Sequence, residues 1–258
     1  MTSALPFPAT PARDIDEVIE RMQRLDGWLP RGDGFWWFNK LYLRMTLAIR
    51  EGLRTQRFAK PDFVTLWDIG FAQLYFDAVR LASSGAPQLP RAWAPLRDAR
   101  SRRGILPLQF AVAGVNAHIN RDLPWSLFAA CSAFQLPPDD ASAVQQDFLE
   151  VNRILAATED AAKRDFSTGF VRVLDWLFGR TDDELALWSI RRARDAAWAN
   201  TQLLWALRAS PAEQRRHMDI VDGMVGFAGR GLLRPLFTLS SLSQLSLLRP
   251  AVSPVTDV

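Results

Sequence analysis

A histidine and an aspartate lie four residues apart in an otherwise apolar stretch of this 258-residue chain. The stretch covers residues 105–134 and contains His118 and Asp122, with Arg121 as its one other charged residue. Side chains four residues apart share a face of a helix. A carboxylate in that position can fix the tautomer of a histidine and stabilise its protonated form. The pair is therefore a candidate catalytic site, in which His118 exchanges a proton as general acid or base and Asp122 orients it.

Two other interpretations of the pair stay open. His118 and Asp122 could be ligands of one divalent metal ion, with Glu159 or Asp147 supplying a third ligand. They could equally satisfy buried partners that join two layers of the protein, because an unpaired buried polar group costs about 1–3 kcal/mol. The chain has two histidines and no Glu-x-x-His pair, which excludes sites that need three imidazoles and disfavours a di-iron carboxylate centre. We therefore expect no cofactor, with one divalent metal ion as the alternative.

Further polar side chains interrupt apolar helical faces in this and neighbouring segments. Asn116 and Asn120 fall on the side of their helix opposite to His118. Asp68 and Tyr75, on a helix that begins near Pro61, come second to these as site candidates. The residues predicted to bind a substrate are Asn116, Asn120, Asn152, Arg191, Arg194, Trp198 and Tyr42. The Arg194 guanidinium suits either an anionic group of a ligand or a buried pair with a carboxylate, Asp122 or Glu159.

The elements that must position these residues are helices. Apolar residues recur at spacings of three and four between clusters of proline and glycine, and strict alternation is absent. Helices are predicted at about residues 13–25, 34–51, 61–82, 105–121, 124–134, 142–163, 167–178, 182–208, 212–230 and 235–248. Pro124 is expected to break the helix after Asp122. The fold class is all-α, a single-domain irregular helical bundle around a buried central helix at about residues 105–121.

Composition and the terminal segments indicate the domain organisation, the partners and the location that we expect for this protein. We expect a flexible N-terminus over residues 1–12, one helical domain over 13–248 and a flexible C-terminus over 249–258. The net charge of +3 comes without a run of basic residues, so nucleic acid is not an expected partner. The first twelve residues lack the features of a secretory signal, which favours a cytoplasmic protein. Arg230, Arg234 and Pro235 interrupt the apolar C-terminal stretch, so no membrane span is expected there, whereas a homodimer through the C-terminal helices is possible.

Several segments, taken in order, resemble a family of uncharacterised bacterial helical proteins, domain-of-unknown-function family 5995. These segments are FNKLYLRMT, LQFAVAGVNAHINRDLP, DFLEVNRIL, LWSIRRARDAAWANTQLLWALR and GRGLLRP. The resemblance spans about residues 30–235, and its most specific part is the NAHINxDLP motif. It implies no activity. It does imply that the motif positions of the family fall on Asn116, His118, Asn120, Asp122, Asn152, Arg194 and Trp198 of this sequence.

These observations lead to one leading hypothesis and several alternatives for the function. Ten tryptophans and 16 phenylalanines indicate an aromatic interior that can line a pocket for a small, largely apolar molecule. The leading hypothesis is an enzyme that uses general acid/base chemistry for isomerisation, cyclisation or hydrolysis of such a molecule. The alternatives are a non-catalytic small-molecule binding protein, a metal-dependent hydrolase using His118 and Asp122, and a structural protein. No nucleotide-binding motif supports redox or phosphoryl chemistry.

Overall fold

The structure, a computed structural model, describes residues 4–165 and 190–235. Within those ranges the chain forms helices and no β-strand, which confirms the all-α prediction. The helices are α1 (Ile15–Trp28), α2 (Gly34–Arg54), α3 (Pro61–Ser84), α4 (Ala94–Ala99), α5 (Pro107–Ala117), α6 (Leu123–Phe134), α7 (Ala143–Asp165), α8 (Ile190–Ala206) and α9 (Pro211–Leu232). They pack as an irregular bundle, with α2 against α5, α3 against α6, α8 against α6 and α9 against α5.

Local sequence signals explain where the first helices begin. Asp14 caps α1 by accepting a hydrogen bond from the Glu17 amide at 2.8 Å, and Asp33 caps α2 in the same way for the Phe35 amide at 2.8 Å. Pro61 occupies the first position of α3, where the missing N–H costs nothing. Helices α1, α2 and α3 therefore lie close to the predicted ranges. The short α4 was not predicted, because six residues are too few to show a helical period.

Helix α5 is the buried central helix that the sequence predicted. Every residue from Leu108 to Ala117 is buried, so the helix is enclosed on all sides by its neighbours. Gly114 permits this close packing, because a β-carbon at Gly114 would overlap the Phe38 ring of α2. The apolar composition around the candidate site thus reflects its position in the middle of the bundle.

The prediction that Pro124 breaks the helix after Asp122 is wrong. The chain passes from α5 into α6 through one π-helical turn, His118–Asp122, in which the Leu123 amide donates to the His118 carbonyl five residues earlier. Pro124 then lies in the first turn of α6, where its missing N–H and its ring are tolerated. The wider π turn absorbs the proline without ending the helix, and π turns of this kind are frequent at functional sites.

The described part of the segment before α1 lies against the bundle. The Phe7 ring packs on Phe76 with ring centres 5.0 Å apart, and Arg21 donates to the Thr10 carbonyl at 2.6 Å. The predicted helices at 167–178 and 235–248, the first part of the one at 182–208 and the C-terminus at 249–258 fall outside the described residues. None of the helices in the described ranges combines the length and apolarity needed to cross a membrane.

Candidate functional site

His118 and Asp122 form a buried hydrogen-bonded pair across the π turn. The His118 Nδ1 atom lies 3.1 Å from Asp122 Oδ2, and the two side chains are 3% and 0% exposed. The Trp93 Nε1–H donates to the same carboxylate oxygen at 3.0 Å, and Arg121 Nη1 donates to Oδ1 at 2.7 Å. Three groups from the π turn and the start of α4 therefore hold the Asp122 carboxylate in place, and the carboxylate in turn orients the imidazole.

The electrostatics of the pair define the tautomer of His118. Burial lowers the His118 pKa, and this effect outweighs the opposing influence of Asp122, so the imidazole is neutral at pH 7. Burial alone would raise the Asp122 pKa, but the His118 hydrogen bond and the Arg121 charge outweigh it and lower that pKa. An ionised carboxylate only accepts hydrogen bonds, so Nδ1 must carry the proton. The lone pair of His118 then resides on Nε2, a buried atom with no hydrogen-bond partner among the described residues.

Aromatic rings surround the His118 imidazole. Phe71 stacks on it with centres 3.6 Å apart and planes 6° from parallel, and Tyr42 meets it edge-on at 4.5 Å. Phe38, Tyr75 and Trp93 lie farther away, at centre distances of 5.6, 6.2 and 6.1 Å. Among these five rings Phe71 alone is partly exposed. The surroundings of Nε2 are therefore apolar and largely closed to water.

Two other buried polar groups lack partners among the residues that the structure describes: the Tyr42 hydroxyl, whose ring lies beside the imidazole, and Asp68, which is close enough to act on Tyr42. The Tyr42 hydroxyl and Asp68 Oδ2 are buried, and neither has a hydrogen bond within the described ranges. Burial raises the Asp68 pKa to about 7, and burial together with the nearby Asp68 and Asp122 charges raises the Tyr42 pKa. We refer to His118, Asp122, Tyr42 and Asp68 as the His118 cluster. From the sequence we ranked Asp68 below His118, Asp122 and the predicted substrate-binding residues as a site candidate, although its spacing from Phe71 places both on one face of α3.

Arg194 approaches from α8 and does not pair with Asp122. Its Nε atom donates to Asn152 Oδ1 of α7, and its Cζ atom lies 4.8 Å from the centre of the Phe148 ring. Asp122 is paired with Arg121 instead, which lies next to it in the chain. Burial lowers the pKa of Arg194 to about 9, so the group stays cationic at pH 7. Its Nη2 atom is buried and has no hydrogen-bond partner in the described part of the chain.

Asn116 and Asn120 are not brought to the His118 cluster. Asn116 Nδ2 donates to the Val225 carbonyl at 3.0 Å, and Asn120 Nδ2 donates to Asn116 Oδ1 at 3.1 Å. Gln109, on the same side of α5, donates to the carbonyls of Leu232 and Arg234, each at 2.8 Å. This polar stripe joins α5 to α9. Of the two amides that we predicted to bind substrate, Asn116 instead donates to a carbonyl of α9, and Asn120 donates to the side chain of Asn116.

The remaining predicted residues have separate positions. Trp198 packs on Phe148 at 5.0 Å and donates its Nε1–H to Asp140 Oδ1 at 3.0 Å. It therefore belongs to the aromatic layer around Arg194. The side chains of Arg191 and Glu159 lie outside the described residues.

The geometry of the carboxylates does not favour the metal alternative. Among the side chains that the structure describes, which do not include that of Glu159, no group of three or more from histidine, cysteine, aspartate and glutamate is close enough to hold a metal ion. His118 Nδ1 and Asp122 Oδ2 are bound to each other, and Trp93 and Arg121 occupy further positions on the carboxylate. Asp147 accepts the backbone N–H groups of Ala59 and Lys60 at 2.7 and 2.9 Å, so its role is to hold the start of α3.

An exposed apolar strip lies on α9. Ile220, Met224 and Phe227 are 55%, 67% and 74% exposed, and they line a shallow groove beside Arg91. No residue of the His118 cluster lines this groove. The strip is therefore a surface feature of the C-terminal helices, separate from the buried site.

The comparisons with known proteins give a family but no activity. No match is found among the curated proteins or the solved structures. A family model described as a family of unknown function (DUF5995) matches residues 15–235, which include α1 to α9 and every residue of the His118 cluster. Because that match covers most of the chain, as the NAHINxDLP motif led us to expect, the protein belongs to the DUF5995 family.

Proposed function

We propose that this protein is an enzyme that performs general acid/base chemistry on a small, largely apolar molecule, with His118 as the base. The observation that carries the proposal is the unpartnered Nε2 atom of a neutral, oriented and buried imidazole. Buried polar atoms in native proteins are nearly always hydrogen-bonded, and exceptions call for an explanation such as a catalytic role or an unseen ligand. Nine buried side-chain atoms in the described part of the chain lack a partner, and His118 Nε2 is the basic atom among those beside the imidazole, which favours a reacting group as its missing partner.

The His118 cluster supplies the parts that such a reaction needs. His118 Nε2 would accept a proton from the substrate, and the resulting imidazolium would be stabilised by Asp122 at 3.1 Å. Asp68, with a pKa of about 7, is partly protonated at neutral pH and can return a proton or donate a hydrogen bond. The Tyr42 hydroxyl stays protonated and can donate to an oxygen that gains negative charge. Isomerisation, cyclisation and hydrolysis all fit this set of groups.

A non-catalytic binding protein is the second candidate. The same unpartnered atoms could recognise the polar group of a retained molecule, with the five surrounding rings enclosing its apolar part. The metal-dependent hydrolase is less well supported, because His118 and Asp122 bind each other. A cytoplasmic location and a homodimer through the C-terminal helices are also proposals. The exposed side chains of Ile220, Met224 and Phe227 support the homodimer.

The test compares the two histidines of the chain. Wild type, His118→Ala and His217→Ala would be purified from cells and examined by native mass spectrometry for a retained small molecule. That molecule would then be incubated with each protein in D₂O and followed for conversion or deuterium uptake. His217, half-buried on α9 and paired with Asn200 at 3.0 Å, is the matched control.

An enzyme predicts conversion by wild type and by His217→Ala, and a loss of about 10²–10⁴-fold in rate with binding retained in His118→Ala. A binding protein predicts no conversion by any of the three proteins, together with weaker retention of the molecule by His118→Ala. Equal conversion by His118→Ala and wild type would contradict the proposed role of His118. A mass excess of tens of daltons that disappears in His118→Ala would instead support the metal alternative.

A further inference from the structure

Arg194 is a buried cation that forms no ion pair with any carboxylate whose side chain the structure describes, a set that excludes Glu159. Its side chain is 3% exposed. The Asn152 amide oxygen and the Phe148 ring are its contacts, and both are uncharged. The neighbouring Asp195 is exposed and does not bond to it. Because a buried charge is costly unless it is paired, the free Nη2 atom calls for an anionic partner.

An aromatic wall connects Arg194 with the His118 cluster. Phe71 stacks on the imidazole, and Trp67 lies one turn earlier on α3. Trp67 stacks on Phe148 with centres 5.9 Å apart, and Phe148 in turn lies against the Arg194 guanidinium. The Arg194 charge is also close enough to His118 to lower its pKa. A molecule lying along this wall would therefore have an anion-binding group at one end and the basic Nε2 atom at the other.

We propose that Arg194 binds a carboxylate of the substrate, so that the substrate class is an apolar carboxylic acid. This inference rests on the proposed function, because it assigns the polar group of the same molecule. A guanidinium matches the planar carboxylate, and the aromatic wall matches an apolar body. A carboxylate fits better than a phosphate, since one cation beside a neutral imidazole balances one negative charge and a phosphate group carries nearly two.

The experiment measures thermal unfolding of the full-length protein with defined probes. Octanoate and 4-phenylbutyrate would each be compared with its primary amide, which has the same shape without the charge, and inorganic phosphate would be a further probe. For the wild type we expect the acids to raise Tm and to bind at least about 10-fold more tightly than the amides. Phosphate should leave Tm unchanged.

Matched variants separate anion binding from a structural role. Arg194→Met removes the positive charge and keeps an unbranched side chain of similar length. Arg194→Lys keeps the positive charge but loses the planar guanidinium that can form two parallel hydrogen bonds to a carboxylate. Arg208→Met is the control, because Arg208 also lies over an aromatic ring, with its Cζ atom 4.9 Å from the centre of the Trp205 ring, but is exposed. Without probe, Arg194→Met should have a Tm at or above that of wild type, because an unpaired buried charge has been removed. The preference for acids should disappear in Arg194→Met and persist in Arg208→Met.

These experiments test the anion site at Arg194 independently of the proposed catalytic role of His118. His118→Ala should keep the preference for acids, so failure of acid/base catalysis would leave the anion site standing. Equal binding of acids and amides by wild type, or no rise in Tm with any acid, would overturn the proposal. So would a rise in Tm with phosphate alone, which would indicate a phosphate site. A large fall in Tm for Arg194→Met without probe would overturn it too, and would favour an internal partner such as Glu159.

Discussion

Replacing Asp122 with alanine is expected to lower the free energy of unfolding by about 3–5 kcal/mol at pH 7. The substitution removes a completely buried carboxylate and leaves three donors, from His118, Trp93 and Arg121, without their acceptor. Each stranded buried donor adds a desolvation cost, and the Arg121 charge loses its partner. Urea unfolding followed by far-UV circular dichroism measures this change.

Two further variants make the Asp122 prediction specific. Asp122→Asn keeps the shape of the side chain and loses its charge, so it should cost less than Asp122→Ala. Asp219→Ala is the control, because Asp219 also pairs with an arginine, Arg91, but is 76% exposed. Its effect should stay within about 0.5 kcal/mol. An Asp122→Ala protein as stable as the Asp219→Ala protein would show that the network around Asp122 does not support the fold.

The second large effect is a change in how stability depends on pH in Asp68→Asn. The wild-type Asp68 pKa is raised from 3.8 to about 7 by burial, so the unfolded chain releases this proton more readily than the folded one. The folded state therefore loses stability as pH rises from about 4 through about 7, by up to about 4 kcal/mol. Asparagine does not ionise, so Asp68→Asn should be more stable than wild type at pH 8 and similar to it at pH 4.

The pH profile of Asp68→Asn has to be separated from that of His118. The lowered His118 pKa has the opposite sign: wild type loses stability as pH falls below about 6.5, because the unfolded chain then binds a proton that the buried imidazole does not. Asp68→Asn should still lose stability as the pH falls below about 6.5, because His118 is unchanged. It should no longer show the loss of stability above pH 4 that comes from ionisation of Asp68. Asp77→Asn, on the same helix and paired with Arg80, is the control. If Asp68→Asn were less stable than wild type at pH 8, the prediction would be wrong, because Asp68 would then be ionised and hydrogen-bonded in the folded wild type.

Much of the fold follows from periodicity and from helix-start signals. Asp14, Asp33 and Pro61 mark the starts of α1, α2 and α3, and the apolar run of α5 marks the centre of the bundle. Such signals are local, because a cap bonds to backbone within its own helix. The π turn is different: its five-residue hydrogen bond depends on how α5 and α6 are packed, so Pro124 by itself indicates a break that does not occur.

The candidate site could be predicted only as far as it is local. His118 and Asp122 meet because four residues separate them, and that spacing is visible in the sequence. Whether a buried polar residue has a partner depends on a distant segment. Asn116 bonds to Val225, 109 residues away, and Arg194 bonds to Asn152, 42 residues away. The sequence ranked Asn116 above Asp68 as a site residue for that reason, although Asp68 is the one left without a partner.

The proposed role of His118 as a base is tested most directly by the tautomer and charge of its ring, since the proposed chemistry requires a neutral ring with its lone pair on Nε2. Long-range ¹H–¹⁵N correlation NMR on protein labelled with ¹⁵N-histidine reports both, and a His217→Gln background leaves His118 as the only signal. We expect a protonated Nδ1 and an unprotonated Nε2 at pH 7, unchanged as the pH falls below the ordinary histidine pKa of 6.5. An imidazolium at pH 7, or a proton on Nε2 with Nδ1 bare, would contradict the proposed role.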